Sequence, residues 1–424
     1  MLSLAALGQA QSNDPLLDKV REQVSKSILR LPNYLCTQTI QRTQMDPVVR
    51  NRLTCAQLAG LKQSARLLNS KDRLRLDVAM GEKKEMYSWM GSNQFFDSNI
   101  VELVHFGPIS SGSFNGFLRA VFTRNIATYA PPQQVIRDGR TLAEYGFSVP
   151  QESKSYQYLS PSRELFYTAY GGTFLVDSKS GELVELNIQT KKEPGDPGAC
   201  EQDTSLKYSQ VELNGQEFLL PEESALRIYH PDGVLTENRT VYSACHVFLG
   251  ESKISFEEPG VSASKKAPAE PAEIAVPGGL AFTIVVDKDV RLESLYGGDP
   301  ITAQLKAPIV NQRGKTLVPT GATIVLRVMR VLEIGNPTPY SKMTLVLEQM
   351  TTKGRKVRLI AGPSRHSITS KESPKAPGLV LIMPDANFSK NSNVIAAELT
   401  FATKITPKTG IGKGFEMTWT TSTP

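Results

Sequence analysis

The stretch 217-EFLLPEESALRIYHPDGVLTENRTVYSACHVF-248 decides the fold. Two β-rich runs, 217–229 and 234–248, flank His230-Pro231-Asp232-Gly233, a four-residue segment with strong turn chemistry. That is a long hairpin, and the same arrangement recurs upstream. Residues 73-RLRLDVAM-80 and 84-KEMYSW-89 fold about Gly81, and 164-ELFYTAYGGTFLVD-177 and 183-LVELNIQT-190 flank Ser178–Gly181. Consecutive hairpins build an antiparallel sheet, because a parallel pair needs a long crossover between its strands.

Two segments break the strand rhythm. Asp14 can cap a helix, Pro15 suits its first position, and Leu16, Val20, Val24 and Ile28 recur at four-residue steps. In 107-GPISSGSFNGFLRAVF-122, residues Phe114, Phe117, Leu118, Val121 and Phe122 have the spacing of a helix with one apolar face. The expectation is an α+β fold in which a large curled antiparallel sheet, a half-barrel, packs on a few helices. The Phe114–Phe122 stripe either fills the core under the sheet or lids an apolar pocket.

The chain has 424 residues, 40% of them hydrophobic and 21% charged, which is ordinary globular composition. That length is large for one core, so two domains are expected. No apolar run approaches the roughly 18 residues that span a bilayer as a helix. Between Phe256 and Gly279 the sequence is rich in Pro, Ala, Ser, Glu and Lys without apolar periodicity, and reads as a linker. The expected division is 13–256, a linker at 257–279, and 280–424. Residues 280–424 look all-β, a barrel or sandwich of about eight short strands divided by Gly, Pro, Asn and Lys turns. They hold 19 Lys+Arg against 10 Asp+Glu, so the net charge of +6 resides there.

The opening MLSLAALGQAQS, residues 1–12, is short, apolar and rich in small residues, like the back half of a secretory signal peptide. Four cysteines, Cys36, Cys55, Cys200 and Cys245, include no C-x-x-C pair, and an even count at wide spacing suits two disulfides in an oxidising compartment. Sequence order suggests Cys36–Cys55 and Cys200–Cys245, one of three pairings that four cysteines allow. A periplasmic or extracellular protein is expected.

Catalytic signals are weak. Ser262-Ala263-Ser264-Lys265 and Lys408-Thr409-Gly410 match S-x-x-K and K-T-G, but the first lies in the linker and no S-D-N accompanies them. Gly314-Lys315-Thr316 ends like a phosphate-binding loop, yet Ile309 stands where its first glycine is needed. Gly410–Gly414 is a glycine-rich turn without the helix that a dinucleotide site requires. His105, His230, His246 and His366 are scattered, and Ser110 and Ser113 near His105 read as helix entry. No catalytic residue, metal or cofactor is assigned. The basic hairpin with Lys353, Arg355, Lys356 and Arg358 is either a solvated face or a contact for an anionic envelope polymer or membrane surface. Only seven aromatic residues follow the linker, so no nucleic acid is expected.

Leu31-Pro32-Asn33-Tyr34, Cys36-Thr37-Gln38, 110-SSGSFNGFLRAVF-122, 171-GGTFLVD-177 and 242-YSACHVFLGES-252 together resemble a family of uncharacterised secreted bacterial proteins. Their first domain is similar to the LolA/LolB class of periplasmic lipoprotein carriers, which implies a half-barrel closed by helices over an apolar cavity. Residues 276-VPGGLAFTIVV-286 and 297-GGDPITAQLKAPIVNQRGKTLVPTGATIVLRV-328 resemble the β-barrel of TrbI-type conjugal transfer proteins, from which only the barrel is carried over. Three readings result. The first is an exported, non-enzymatic envelope protein that binds a lipid or lipid-linked group through Phe114–Phe122 and docks through its basic domain. The second is an interaction protein without a cavity, and the third an envelope hydrolase.

Overall fold

The computed structural model describes residues 14–48, 54–61, 65–81, 84–92, 95, 100–104, 107, 109, 115–159, 165–190, 200–247, 273–364, 380–384, 395–402 and 404–422. The apolar start, Phe114, Ser110, Ser113, His105, His366 and linker residues 257–272 lie outside them. The fold is mostly β with few helices, in the expected α+β class, and its ladders are antiparallel with one short exception. The chain divides into two compact units, residues 1–32 with 112–225 and residues 33–111 with 226–424.

In the first unit, helix α1 (Pro15–Arg30) starts where its cap dictates. The Asp14 carboxylate accepts from the Leu16 and Leu17 amides at 3.0 and 3.1 Å, and Pro15 occupies the first turn, where no N–H is needed. Val20, Val24 and Ile28 form the buried stripe. The sheet is an antiparallel series of Gln133–Arg137, Arg140–Val149, Tyr170–Asp177, Leu183–Thr190 and Glu201–Leu213. Asp177 organises the turn between the third and fourth of these. Its Oδ1 accepts from the Lys179 and Ser180 amides, and those bonds, with Arg140, hold its carboxyl down at about 2. Gly172 sits against its neighbour in the sheet, where a Cβ would lie 1.9 Å from the Asn187 carbonyl oxygen, so only glycine fits.

The core of this unit is aromatic. Phe174 stacks on Tyr145 at 5.0 Å and meets Phe122 edge-on at 5.0 Å, with Val20, Val24, Leu186 and Leu206 in the same cluster. The single strand expected over 164–177 is broken at Thr168, whose amide donates to the Tyr156 carbonyl. Leu165–Tyr167 therefore pairs with Gln157–Leu159 in a separate ribbon.

In the second unit, Tyr34–Pro47 pairs on one side with Leu235–Val247 and on the other with Arg66–Gly81, which pairs in turn with Lys84–Trp89. Residues Ser70–Asp72 also pair with Ile334–Leu332, so strands far apart in sequence share one ladder. From Thr323–Ile334 the ladder runs to Pro300–Leu305, Ala281–Val286 and Glu416–Ser422 on one side, and to Tyr340–Thr352 and Ala396–Phe401 on the other. These strands enclose a core that includes Ile284, Leu326, Leu345, Phe401 and Trp419.

The cysteine pairing differs from sequence order. Cys36 is bonded to Cys245, 209 residues away, which excludes both Cys36–Cys55 and Cys200–Cys245. The cause is register. Leu35 opposes His246 and Thr37 opposes Ser243, and the shift between them sets Cys36 against Cys245. Cys55 and Cys200 are disulfide-bonded as well, and the described residues include no free cysteine.

Candidate functional site

The helix expected to carry the apolar stripe is a short α turn, Gly116–Leu118, that widens into a π-helical turn, Arg119–Thr123. Leu118, Val121 and Phe122 are between 1 and 2% exposed and belong to the aromatic core. Phe117 is half-buried, with its ring 5.9 Å from that of Tyr156 and 6.5 Å from that of Tyr170. The stripe is therefore split, with three members inside and Phe117 at the margin. Two bonds hold this turn. Arg21 Nε donates to the Phe122 carbonyl at 3.2 Å, and the Tyr129 hydroxyl donates to the Val121 carbonyl. Burial pushes the phenols around it up, Tyr156 to about 12, so these groups are neutral and amphipathic.

Farther along α1 the same unit has a groove of about 690 Å³. It lies between the helix, the turn at 180–183 and the segment 216–219, which follows the left-handed turn Asn214-Gly215. Three hydrogen bonds fix its walls. Lys19 Nζ donates to the Lys179 carbonyl, Gln23 Nε2 to the Ser180 carbonyl at 3.1 Å, and the Leu219 amide to Ser27 Oγ at 3.4 Å. Val24, Leu183, Phe218 and Leu219 provide buried apolar surface, while Lys26, Arg30, Glu182 and Glu217 supply charge around it. Sequence reasoning missed this groove, because its lining comes from one helix and two separate turns.

The basic hairpin is where the sequence placed it. Lys353 and Gly354 have φ of 48° and 75° and form the turn, Val357 points into the core, and Lys353, Arg355, Lys356 and Arg358 are exposed.

The K-T-G and G-K-T motifs are built into turns. The Thr409 hydroxyl bonds to the Lys404 carbonyl, and Gly410 pairs with Arg291. Asn311 Oδ1 accepts from the Arg313 and Lys315 amides, which makes 311–315 a hairpin turn. His230 Nε2 contacts Thr236 Oγ1 at 3.1 Å, and burial lowers its pKa. His246 Nδ1 meets the Ala244 carbonyl at 2.9 Å. Among the described residues, no three His, Cys, Asp or Glu side chains converge as a metal site would require. No described helix is long and apolar enough to cross a membrane.

Sequence patterns did not announce the charged seam of the second unit. Arg42 and Asp72 are direct cross-strand partners, joined by two 2.7 Å bonds, and Arg330 Nε reaches the same carboxylate at 3.1 Å. Burial raises the Asp72 pKa, but the two guanidinium groups outweigh it and hold the carboxyl below the usual range. Nearby, Arg327 forms a bidentate pair with Glu348 and donates to the Gly298 and Met90 carbonyls at 2.6 and 2.8 Å. Arg75 lies 4.0 Å over the Tyr296 ring. This seam joins strands remote in sequence.

No family model matches the chain, and no curated protein matches it either. Among solved structures, one of a DUF1329 family protein from Desulfovibrio piger is similar at 10% identity with a TM-score of 0.27. The likeness covers 57% of this chain and 97% of that one.

Proposed function

We propose that the protein is an exported component of the cell envelope that binds a lipid or lipid-linked group in its first unit and docks through its basic β-rich unit. The groove beside α1 carries the reading, because it sets Val24, Leu183, Phe218 and Leu219 among polar and charged side chains in about 690 Å³, within the range of small-molecule sites. Disulfide-bonded cysteines support export, since such bonds persist in oxidising compartments. Phe117 and the neutral tyrosines form a second amphipathic margin on the same unit. The interaction-protein reading is favoured by one observation, the close packing of Leu118, Val121 and Phe122 in the core.

Native mass spectrometry of protein prepared from its producing cell without detergent tests the proposal. The expected result is an added amphiphile mass that is lost in Gln210→Trp, a substitution that fills the groove from an exposed position. Protein that carries no added mass and takes up no fluorescent lipid when offered it would refute ligand binding.

A further inference from the structure

We infer that one end of the β-rich second unit is a docking face for an anionic lipid surface. This rests on the docking half of the proposed function and is independent of the groove.

The topology assembles the face. Gln304 pairs with Thr323, Thr323 with Thr351, and Thr351 with Lys356, a row across four adjacent strands. Beyond that row the chain turns twice at the same end, through residues 305–322 and through 352–355. The first connection contains the small hairpin of Ile309–Val310 and Thr316–Val318, and Ile309 and Val318 are anchored in the core. Its turn presents Arg313 and Lys315, both exposed. The second connection and the strand that follows it present Lys353, Arg355, Lys356 and Arg358. Two hairpins remote in sequence thus bring six exposed cations to one end.

The sign of the face is nearly pure. Residues 305–323 and 349–363 contain no Asp or Glu. Lys306, in the first connection, pairs with Glu416 at 2.7 Å. Among the described residues, Glu273 stands next to Ile274, which pairs in parallel with Val357. A single-sign cluster of this kind attracts an anionic surface, and the attraction decays within a Debye length.

Aliphatic side chains at the same end favour a lipid surface over a soluble polyanion. Val310, on the first hairpin, is 43% exposed, and Ile360, two residues beyond Arg358, is 37% exposed. Ile360 pairs with Ser422, at the end of a strand whose Thr420 opposes Ala281, so it belongs to this end of the ladder. Cations around exposed aliphatic groups suit an interface where charge meets head groups and the aliphatic groups enter the acyl boundary. A polymer of sugar acids or phosphates has no use for the aliphatic pair.

The test is co-sedimentation of the full chain with vesicles of zwitterionic phospholipid, with and without an anionic phospholipid. Binding is expected only with the anionic lipid and declines as salt rises. Arg313→Ala with Lys315→Ala, and separately Lys356→Ala with Arg358→Ala, lower the partition coefficient about fivefold per cation removed. Lys288→Ala with Lys408→Ala, exposed positions at the opposite end, leave it unchanged. Val310→Ser with Ile360→Ser weakens vesicle binding and leaves binding to a soluble polyanion unaltered. Circular dichroism confirms that each variant is folded. Vesicle binding that is absent, insensitive to both charge pairs, or indifferent to the serine pair overturns the inference; the last outcome assigns the face to a polymer. Uptake of fluorescent lipid by the groove is measured on the same variants and stays unchanged, which separates failure here from failure of the ligand reading.

Discussion

Phe174 and Asp72 are each buried in one of the two compact units, and their surroundings have little in common. Phe174 is enclosed by Tyr145, Phe122 and Phe147, rings contributed by neighbouring strands and one helical turn. Asp72 is enclosed by Arg42 and Arg330, and the three residues span 288 positions of sequence. The first environment stabilises by removing apolar area from water. The second gains little net stability from its ions, because each charge is desolvated on burial, but breaking the set leaves a charge stranded. A charged seam therefore specifies which remote strands may pair, whereas an aromatic core tolerates any register that buries it.

The largest effect expected on this contrast comes from the disulfide. Cys36→Ser with Cys245→Ser releases a loop closed over 209 residues and destabilises the second unit by about 5 kcal/mol in the chain-entropy account. Both tryptophans, Trp89 and Trp419, lie in that unit, so their emission during urea unfolding reads it directly. Asp72→Ala comes next, at about 3–5 kcal/mol by the same probe, because Arg42 is left buried without its carboxylate. Replacing Arg42, Asp72 and Arg330 together with apolar residues of similar volume recovers much of that loss. A triple variant no more stable than Asp72→Ala would contradict the account of the seam.

Acid sharpens the same point. The Asp72 pKa is lowered on folding, so its contribution is complete above the unfolded value near 3.8 and disappears as pH falls through the lower folded value. The urea midpoint read by tryptophan emission is expected to fall below about pH 4 in the native sequence, and less steeply in the apolar triple variant. The smallest effect concerns the stripe. Phe117→Asp, at the margin, costs less than Phe122→Asp, which buries an unpaired carboxylate. Thermal unfolding of the two variants compares them, and equal losses would place Phe117 in the core with its neighbours.

Legibility in the sequence follows the same division. Helix α1 was readable because its cap, proline and four-residue stripe are local. The turns at Gly81, Ser178–Gly181 and His230–Gly233 were readable because turn chemistry is confined to a few residues. The Cys36–Cys245 bond was not, since it depends on a register shift between strands two hundred residues apart. The Arg42–Asp72–Arg330 set was hidden for a related reason. A charged residue in an alternating strand reads as solvent-facing until another strand covers it. The stripe was legible as apolar, but periodicity alone could not separate Phe117 from Phe122. The groove was beyond reach, because Val24, Leu183 and Leu219 converge only after three elements are in place.

The proposed function turns on whether an acyl chain occupies that groove. The most direct measurement is photo-crosslinking of the native protein with a phospholipid that carries a diazirine on its acyl chain, followed by peptide mapping. Adducts are expected on α1 between Gln23 and Arg30 and on Gln216–Leu219, and they disappear in Gln210→Trp. Adducts confined to other segments, or labelling that Gln210→Trp does not change, would contradict the account.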